Sequence, residues 1–298
     1  MATITEQGPV LEIEEFKGRS LWQDALHRLM RNRAALVSLV ILAVIALLAI
    51  FGPLFSPHPY DEVTWDAFGL PPNFERSFWF GTDTLGRDMF VRTMYGARVS
   101  LLVGVVATFV SIVIGVLYGA VAGFLGGRID AMMMRTVDIL YSLPFLFFVI
   151  LLMVIFGRNL FLIFVAIGAI QWLTMARIVR GQTLSIKRKE FIEAAHAAGV
   201  SNMAIILRHI TPNVVGPVIV YATLTIPEAI LTESFLSFLG LGVQEPLTSW
   251  GSLIADGVKN MESRPWMLLF PATFLAVTLF CFNFVGDGLR DALDPKDR

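Results

Sequence analysis

The sequence predicts an all-α membrane protein with six transmembrane helices. Hydrophobic residues make up 56% of the 298 residues and charged residues only 16%, and the mean hydropathy is +0.70. A soluble domain usually carries about a quarter charged residues. Six apolar segments approach the roughly 20 residues that a spanning helix needs. Helices are also the only open-chain structures that satisfy the backbone polar groups in lipid.

The predicted spans follow one another along the chain. They cover residues 34–55, 99–124, 139–156, 160–178, 214–241 and 267–284. Residues 1–33 come before them, and apolar residues recur there at helical spacing from Leu21 to Leu29, with basic residues between. This pattern predicts an amphipathic helix on the inner membrane surface. The alternative is a simple flank of the first span.

The loops between the spans set the orientation. Segments 56–98 and 242–266 are the two long loops on one side, and residues 157–159 make a tight hairpin there. Most of the 23 lysines and arginines fall on the other side, which also holds both termini and the tail 288–298. Because basic loops stay in the cytoplasm, both termini are expected to be cytoplasmic.

Composition excludes several classes of function. The net charge of −1 gives no bulk attraction to nucleic acid. Cys281 is the one cysteine, so no intrachain disulfide is possible. The chain lacks the Gly-x-x-x-x-Gly-Lys-Ser/Thr phosphate-binding motif and is not expected to bind ATP itself. Its four histidines lack metal-ligand spacing. We therefore expect no cofactor and no metal in this chain.

A charged, helix-forming segment at 187–213 separates the fourth and fifth spans. Residues 191–198 contain few helix breakers, and Gly199 is suited to end that helix. Ser201 or Asn202 can cap a second helix, which Pro212 is then expected to end or kink. The pattern predicts a stiff helix–turn–helix at the membrane surface. The basic run 187–189 is expected to anchor its base at lipid headgroups.

The order Glu193-Ala194-Ala195, then Gly199 and Pro212, resembles the EAA loop of importer-type ABC permeases. The family pattern has apolar residues three and one before the proline. This chain has His209 and Thr211 there, around Ile210, an arrangement similar to the peptide-permease variant. Further matching motifs lie at 81–88 (Gly-Thr-Asp-Thr-Leu-Gly-Arg-Asp), 238–242, 244–246, 249–251 and 286–295. Together they resemble the C-type permease subunit of bacterial oligopeptide and dipeptide ABC importers, with the oligopeptide branch nearest.

That resemblance implies an importer-type (type I) ABC permease fold in the bacterial cytoplasmic (inner) membrane. Residues 99–287 would form its five-helix core, outside which the first span packs. The implied partners are a second homologous permease subunit, two ATP-binding subunits that hold ATP and Mg²⁺, and an external peptide-binding protein. The implied substrate is a peptide, with a dipeptide or another small solute as the alternative. The EAA loop would couple the core to an ATPase subunit.

Polar and small residues within the spans supply further candidates. Gly115, Gly119 and Gly123 recur every fourth residue, a spacing that lets helices approach closely. Glu228 and Glu233 are intramembrane carboxylates, which are costly and are therefore candidates for lining a polar pathway. The alternative for Glu233 is local pairing near the outer interface. Two further pathway candidates, with weaker claims, are Gln171 and Asn283.

Two other classes of protein are weighed against the permease. An intramembrane aspartyl protease needs two carboxylates that share a proton. Asp138 and Asp287 sit at predicted span ends, where capping or pairing with Arg135 or Arg290 is the simpler interpretation. A secondary transporter needs inverted repeats and broken spans, which the sequence does not show clearly. Neither alternative explains the segment 187–213.

Overall fold

The computed structural model describes residues 21–157 and 160–293, and its regular elements are helices. They are α1 (Leu21–Arg31), α2 (Arg33–Phe51), α3 (Met89–Leu125), α4 (Gly127–Ser142), α5 (Phe145–Phe156), α6 (Leu160–Ile186), α7 (Glu190–Ala197), α8 (Asn202–Ile205), α9 (Thr211–Phe238), α10 (Trp250–Lys259) and α11 (Trp266–Leu293). A 3₁₀ turn (Gly52–Phe55) extends α2, and a π-helical turn (Ile206–Ile210) joins α8 to α9. The start of the predicted N-terminal segment, most of the predicted 157–159 hairpin and the end of the tail lie outside the described residues.

Within the described residues, five helical stretches are long and apolar enough to cross a membrane: Arg33–Phe55, Met89–Leu125, Phe161–Ile186, Asn202–Phe238 and Trp266–Leu293. A sixth span arises if α4 and α5 count as one, although they meet at an 80° bend. The structure thus divides the predicted third span, 139–156, at Leu143 and Pro144. Leu143 is extended, with ψ of 133°, because a residue before proline disfavours the helical conformation. Pro144 has no N–H to continue the ladder.

Helices α3 and α6 pack closely along the predicted glycine stripe. A Cβ added to Gly115 would lie 2.6 Å from the Cβ of Met175, and one added to Gly119 would overlap the carbonyl oxygen of Ala176. At Gly123 the added atom would lie 2.8 Å from the Cβ of Thr183. Since no other residue type fits there without a shift, the glycines allow the two helices to pack backbone to backbone.

Helix α2 lies at the edge of the bundle and packs mainly on α11. Arg98 of α3 ties the C-terminal end of α2 to the bundle. The Arg98 Nε donates a hydrogen bond to the Ala49 carbonyl at 2.5 Å, and its Nη2 donates to that of Ile50 at 2.8 Å. The guanidinium also stacks over Tyr95, 4.3 Å from the ring centroid. A cation at these last-turn carbonyls complements the helix dipole.

Candidate functional site

Helix α7 is anchored to the bundle by one buried side chain. Ile192 is 1% exposed and packs into an apolar cluster contributed by α3, α6, α8, the π-helical turn and α9. That cluster contains Val116, Ala120, Met175, Val179, Ile186, Ile205, Ile206, Ile210, Val214 and Val218. Any displacement of α7 therefore acts on several helices at once. This anchor was not predicted, because Phe191 beside it is equally apolar in the sequence and only the packing shows that Ile192 is the buried one.

The turn after α7 is fixed by hydrogen bonds. Gly199 has φ of +76°, and its N–H donates to the His196 carbonyl at 3.0 Å. The next N–H, of Val200, donates to the Ala195 carbonyl at 3.1 Å. These two bonds are the Schellman arrangement that closes a helix end. Ser201 then caps α8 by accepting from the Ala204 N–H at 3.4 Å. These hydrogen bonds fix the geometry of the turn between α7 and α8.

The C-terminal end of α3 packs against α7 and the residues before it. The His196 ring stacks on Phe124, with centroids 5.6 Å apart and planes 5° apart. Lys187 Nζ donates to the Gly123 carbonyl at 2.8 Å, where a cation satisfies the last carbonyls of a helix. Lys187, the first residue of the basic run 187–189, therefore has a partner within the protein.

The opposite face of α7 is open. Glu193, Ala194, Ala197 and Ala198 are exposed, and Ala195 is half-buried against the apolar cluster. A groove of about 350 Å³ runs beside this face and is lined by Phe124, Leu125, Lys187, Arg188, Glu193, His196 and Asn202. Small side chains let another surface approach closely, and Glu193 offers a hydrogen-bond acceptor at the rim.

Of the two expectations for Pro212, a helix end or a kink, the helix end does not occur, and a π-helical turn interrupts the regular α-helix just before the proline. Residues Asn202–Phe238 form one continuous stretch through the π-helical turn. There the Thr211 N–H donates to the Ile206 carbonyl, five residues back, and Thr211 Oγ1 donates to the same carbonyl at 2.9 Å. Pro212 occupies the first turn of α9, where it needs no N–H. In the same turn His209 is half-buried and Ile210 is fully buried.

Five polar side chains form a strip along the spans, which we call the polar strip: Asp138, Tyr141, Arg177, Tyr221 and Glu228. Arg177 Nη2 lies 2.8 Å from Asp138 Oδ1, and the Arg177 guanidinium lies 4.6 Å from the Tyr141 ring centroid. Tyr221 is within electrostatic reach of Tyr141 and Glu228. Glu228 was predictable from the sequence as an intramembrane carboxyl group, but the two tyrosines and Arg177 were not, since only the fold brings them together.

The remaining pathway candidates lie elsewhere. Glu233 is fully buried, and its carboxylate accepts hydrogen bonds from Ser237 at 2.6 Å and Ser100 at 3.2 Å. It therefore joins α3 and α9 inside the subunit and lines no open surface. Gln171 is buried with both side-chain polar atoms unpartnered in the described structure. Asn283 is exposed and donates to the Leu279 carbonyl at 2.9 Å.

The motif 81–88, which the sequence places in the predicted external loop, forms a cluster of ion pairs before α3. Arg87 Nε lies 2.6 Å from Asp83 Oδ2, and Arg87 Nη2 lies 3.0 Å from Glu245 Oε1. Burial lowers the pKa of Arg87, but the Asp83 and Glu245 carboxylates together more than offset this, so the pKa lies above its ordinary value. Burial raises the pKa of Asp88, which caps α3 by accepting from the Phe90 N–H at 2.8 Å.

Asp138, one of the two aspartates considered for a protease, has a basic partner in the structure. Asp138 pairs with Arg177 rather than with the predicted Arg135, so it does not share a proton with another carboxylate. Within residues 21–157 and 160–293, no group of three or more His, Cys, Asp or Glu side chains is placed to hold a metal.

The chain matches two family models. Residues 111–298 match the binding-protein-dependent transport system inner membrane component, and residues 20–72 match the N-terminal TM domain of oligopeptide transport permease C. The chain belongs to the binding-protein-dependent transport permease family. As such a permease it is a multi-pass inner-membrane component of an ABC importer and not an enzyme. Members of this family work with ATPase and binding-protein partners.

Curated relatives of this permease cover nearly its whole length. It is 58% identical over 288 residues to the oligopeptide transport system permease protein OppC of Haemophilus influenzae, covering 97% of this chain and 93% of that protein. It is 61% identical over 284 residues to OppC of Escherichia coli K12, covering 95% and 94%. Identity to the dipeptide transport system permease protein DppC of Bacillus subtilis is 50% over 280 residues, covering 94% and 87%.

Among solved structures, inward-facing forms of the MetNI methionine ABC transporter share the fold. One superposes with a TM-score of 0.56 at 20% identity and covers 69% of this permease and 96% of the matched chain. At that identity the likeness supports the type I ABC permease fold alone. It agrees with the all-helical architecture predicted from the sequence.

Proposed function

We propose that this permease forms one half of the translocation pathway of an oligopeptide importer and couples it to an ATPase subunit through α7. The proposal depends on one observation, which is that α7 has one buried face and one exposed face. One side of α7 is anchored by Ile192 in the apolar cluster shared by the spans. The other side exposes Glu193 and small residues on the protein surface. A helix of this kind transmits force from a docked partner.

The complete assembly in this proposal contains a second homologous permease and two ATP-binding subunits, which hold the ATP and Mg²⁺ that this chain does not bind. An external peptide-binding protein completes it. Both termini of this permease, and α7, face the cytoplasm. The concentration of lysine and arginine on that side supports this orientation.

In the proposed mechanism, closure of the ATPase pair on ATP pushes α7. Because Ile192 and the Gly199 turn link α7 to α3 and α6, these two spans tilt together, and α9 follows through the π-helical turn. The pathway then opens towards the loaded external binding protein, and ATP hydrolysis resets it. Peptides of varied sequence share a backbone and two charged ends. A pathway suits such peptides if it has few polar groups and these are confined to one place, as they are in the polar strip.

Oligopeptides are the proposed substrates because the relatives at 58% and 61% identity carry that name. A dipeptide importer is the second candidate, supported by the DppC relative at 50% identity. ATP-driven uptake of peptides of two to six residues, by the purified complex in liposomes, separates the two. Uptake confined to two-residue peptides supports the second candidate.

The coupling role is tested with Glu193→Lys, which reverses the charge on the exposed face. We expect uptake and substrate-stimulated ATP hydrolysis both to fall about tenfold, the effect of losing one charge-assisted contact. Membrane insertion should be unchanged. Glu262→Lys, at an exposed position far along the chain, is the matched control. Normal coupled uptake by Glu193→Lys would remove α7 from the proposed role.

A further inference from the structure

Glu228 is an exposed carboxylate on the membrane-spanning helix α9. In the described chain no lysine, arginine or histidine forms an ion pair with it. A carboxylate facing lipid is costly, so such groups face water, a partner or a ligand. Glu233, five residues further on, shows the contrast, because serines satisfy its buried carboxylate.

The other members of the polar strip include aromatic side chains as well as an ion pair. Tyr221 lies two turns away on the same face of α9, roughly 10 Å along the axis. Tyr141 continues the strip, and the Asp138–Arg177 ion pair closes its far end. Arg177 is paired with Asp138 and not with Glu228, so Glu228 is the carboxyl group of the strip for which the described structure shows no basic partner.

We propose that Glu228 binds the ammonium group of a peptide in transit, an inference that rests on the proposed function. The carboxylate accepts a charge-assisted hydrogen bond from the ammonium. The faces of Tyr221 and Tyr141 attract the same cation as it moves along the strip. The ammonium belongs either to the peptide's N-terminus, which every unmodified peptide carries, or to a lysine side chain.

Photolabelling of the complete transporter, reconstituted in nanodiscs, tests this inference. The probes are four tripeptides with a C-terminal benzophenone: Ala-Ala-Ala, its N-acetyl form, N-acetyl-Ala-Lys-Ala and N-acetyl-Ala-norleucine-Ala. Each is titrated against wild type, Glu228→Gln and the matched control Glu62→Gln, which removes an exposed carboxylate of the outer loop. Labelling of this chain is measured.

We expect Glu228→Gln to raise the half-saturating concentration of Ala-Ala-Ala about tenfold. The N-acetyl peptides without lysine should be unchanged, and so should every peptide with Glu62→Gln. A shift confined to Ala-Ala-Ala identifies the N-terminus as the ligand, and one confined to N-acetyl-Ala-Lys-Ala identifies the lysine. The inference is overturned if Glu228→Gln titrates like wild type with every probe, if it weakens the labelling by all four probes equally, or if no probe labels the wild-type chain.

Failure here is distinguishable from failure of the proposed function. If the wild-type complex drives ATP-dependent uptake of Ala-Ala-Ala and Glu228→Gln does not change the titrations, the proposed function stands and only the ammonium site is rejected. Wild-type complex that drives no peptide uptake loses the function itself. A cysteine at position 228 that cross-links to the second permease, and is closed to aqueous thiol reagents, also overturns the ammonium site.

Discussion

Shortening Ile192 is the most direct perturbation of the link between α7 and the spans. The side chain is 1% exposed and is the buried residue of this eight-residue helix. An isolated helix of that length is unstable in water. We therefore expect α7 to hold its position through Ile192, with help from the His196–Phe124 stack and the turn at Gly199.

The cost of Ile192→Ala follows from this burial. The substitution removes three buried carbon groups, worth about 2.4 kcal/mol at about 0.8 kcal/mol each. A residual cavity raises the total towards the 2–5 kcal/mol range typical of such changes. Ile192→Val removes one group and should cost about 0.5–1.5 kcal/mol. The two variants therefore form a graded series on one site, with Val as the matched control.

The assay is uptake per ATP hydrolysed by the reconstituted complex. We expect Ile192→Ala to lower this ratio at least fivefold while ATP hydrolysis continues, because a loosened α7 moves without the spans. Ile192→Val should lie between the alanine variant and wild type. The reasoning is refuted if Ile192→Ala folds, assembles with the ATPase and keeps the wild-type ratio.

Two further predictions concern packing. Gly119→Ala should lower the melting temperature of the purified subunit by several degrees, because its Cβ would overlap the Ala176 carbonyl. The control Gly181→Ala should leave the melting temperature unchanged, because nothing lies within 4 Å of the added atom. Equal melting temperatures for the two variants would contradict the close packing. Arg98→Gln should speed amide hydrogen exchange in the last turn of α2, since the Ala49 and Ile50 carbonyls lose charged donors; unchanged exchange would show that these bonds do not hold α2.

Much of the architecture was predictable because it rests on local rules. Long apolar runs fix the spans, and glycine at position 199 fixes the end of α7. The glycine stripe predicts a close helix contact, although its partner helix was not predictable. The 80° bend between α4 and α5 was missed. The Leu143–Pro144 pair signals it, but hydropathy alone treats 139–156 as one uninterrupted run.

The site was predicted less completely because its contacts join distant segments. Glu228 and Glu233 look alike in sequence, and only packing shows that Glu233 is enclosed by serines while Glu228 is exposed. The π-helical turn also lies beyond local rules. A proline at position 212 argues for a helix end or a kink, and the shift of the Thr211 bond to Ile206 shows how the chain continues through that position.

The arrangement of rigid contacts and breaks predicts which parts move together. The glycine stripe joins α3 and α6, and Arg180 holds Asp130 of α4 through two hydrogen bonds of 2.5 and 2.6 Å. Bidentate pairs of this kind fix orientation as well as distance. The chain departs from regular α-helix at two places bordering this body, the bend before Pro144 and the π-helical turn, and such breaks are where helices bend. A push on α7 should therefore move α3, α4 and α6 as one body, with the rotation taken up at those two joints. Spin labels on α3 and α4 should keep a constant separation through the ATP cycle, while labels on α4 and α5 should not; a changing α3–α4 distance would contradict a shared rigid body.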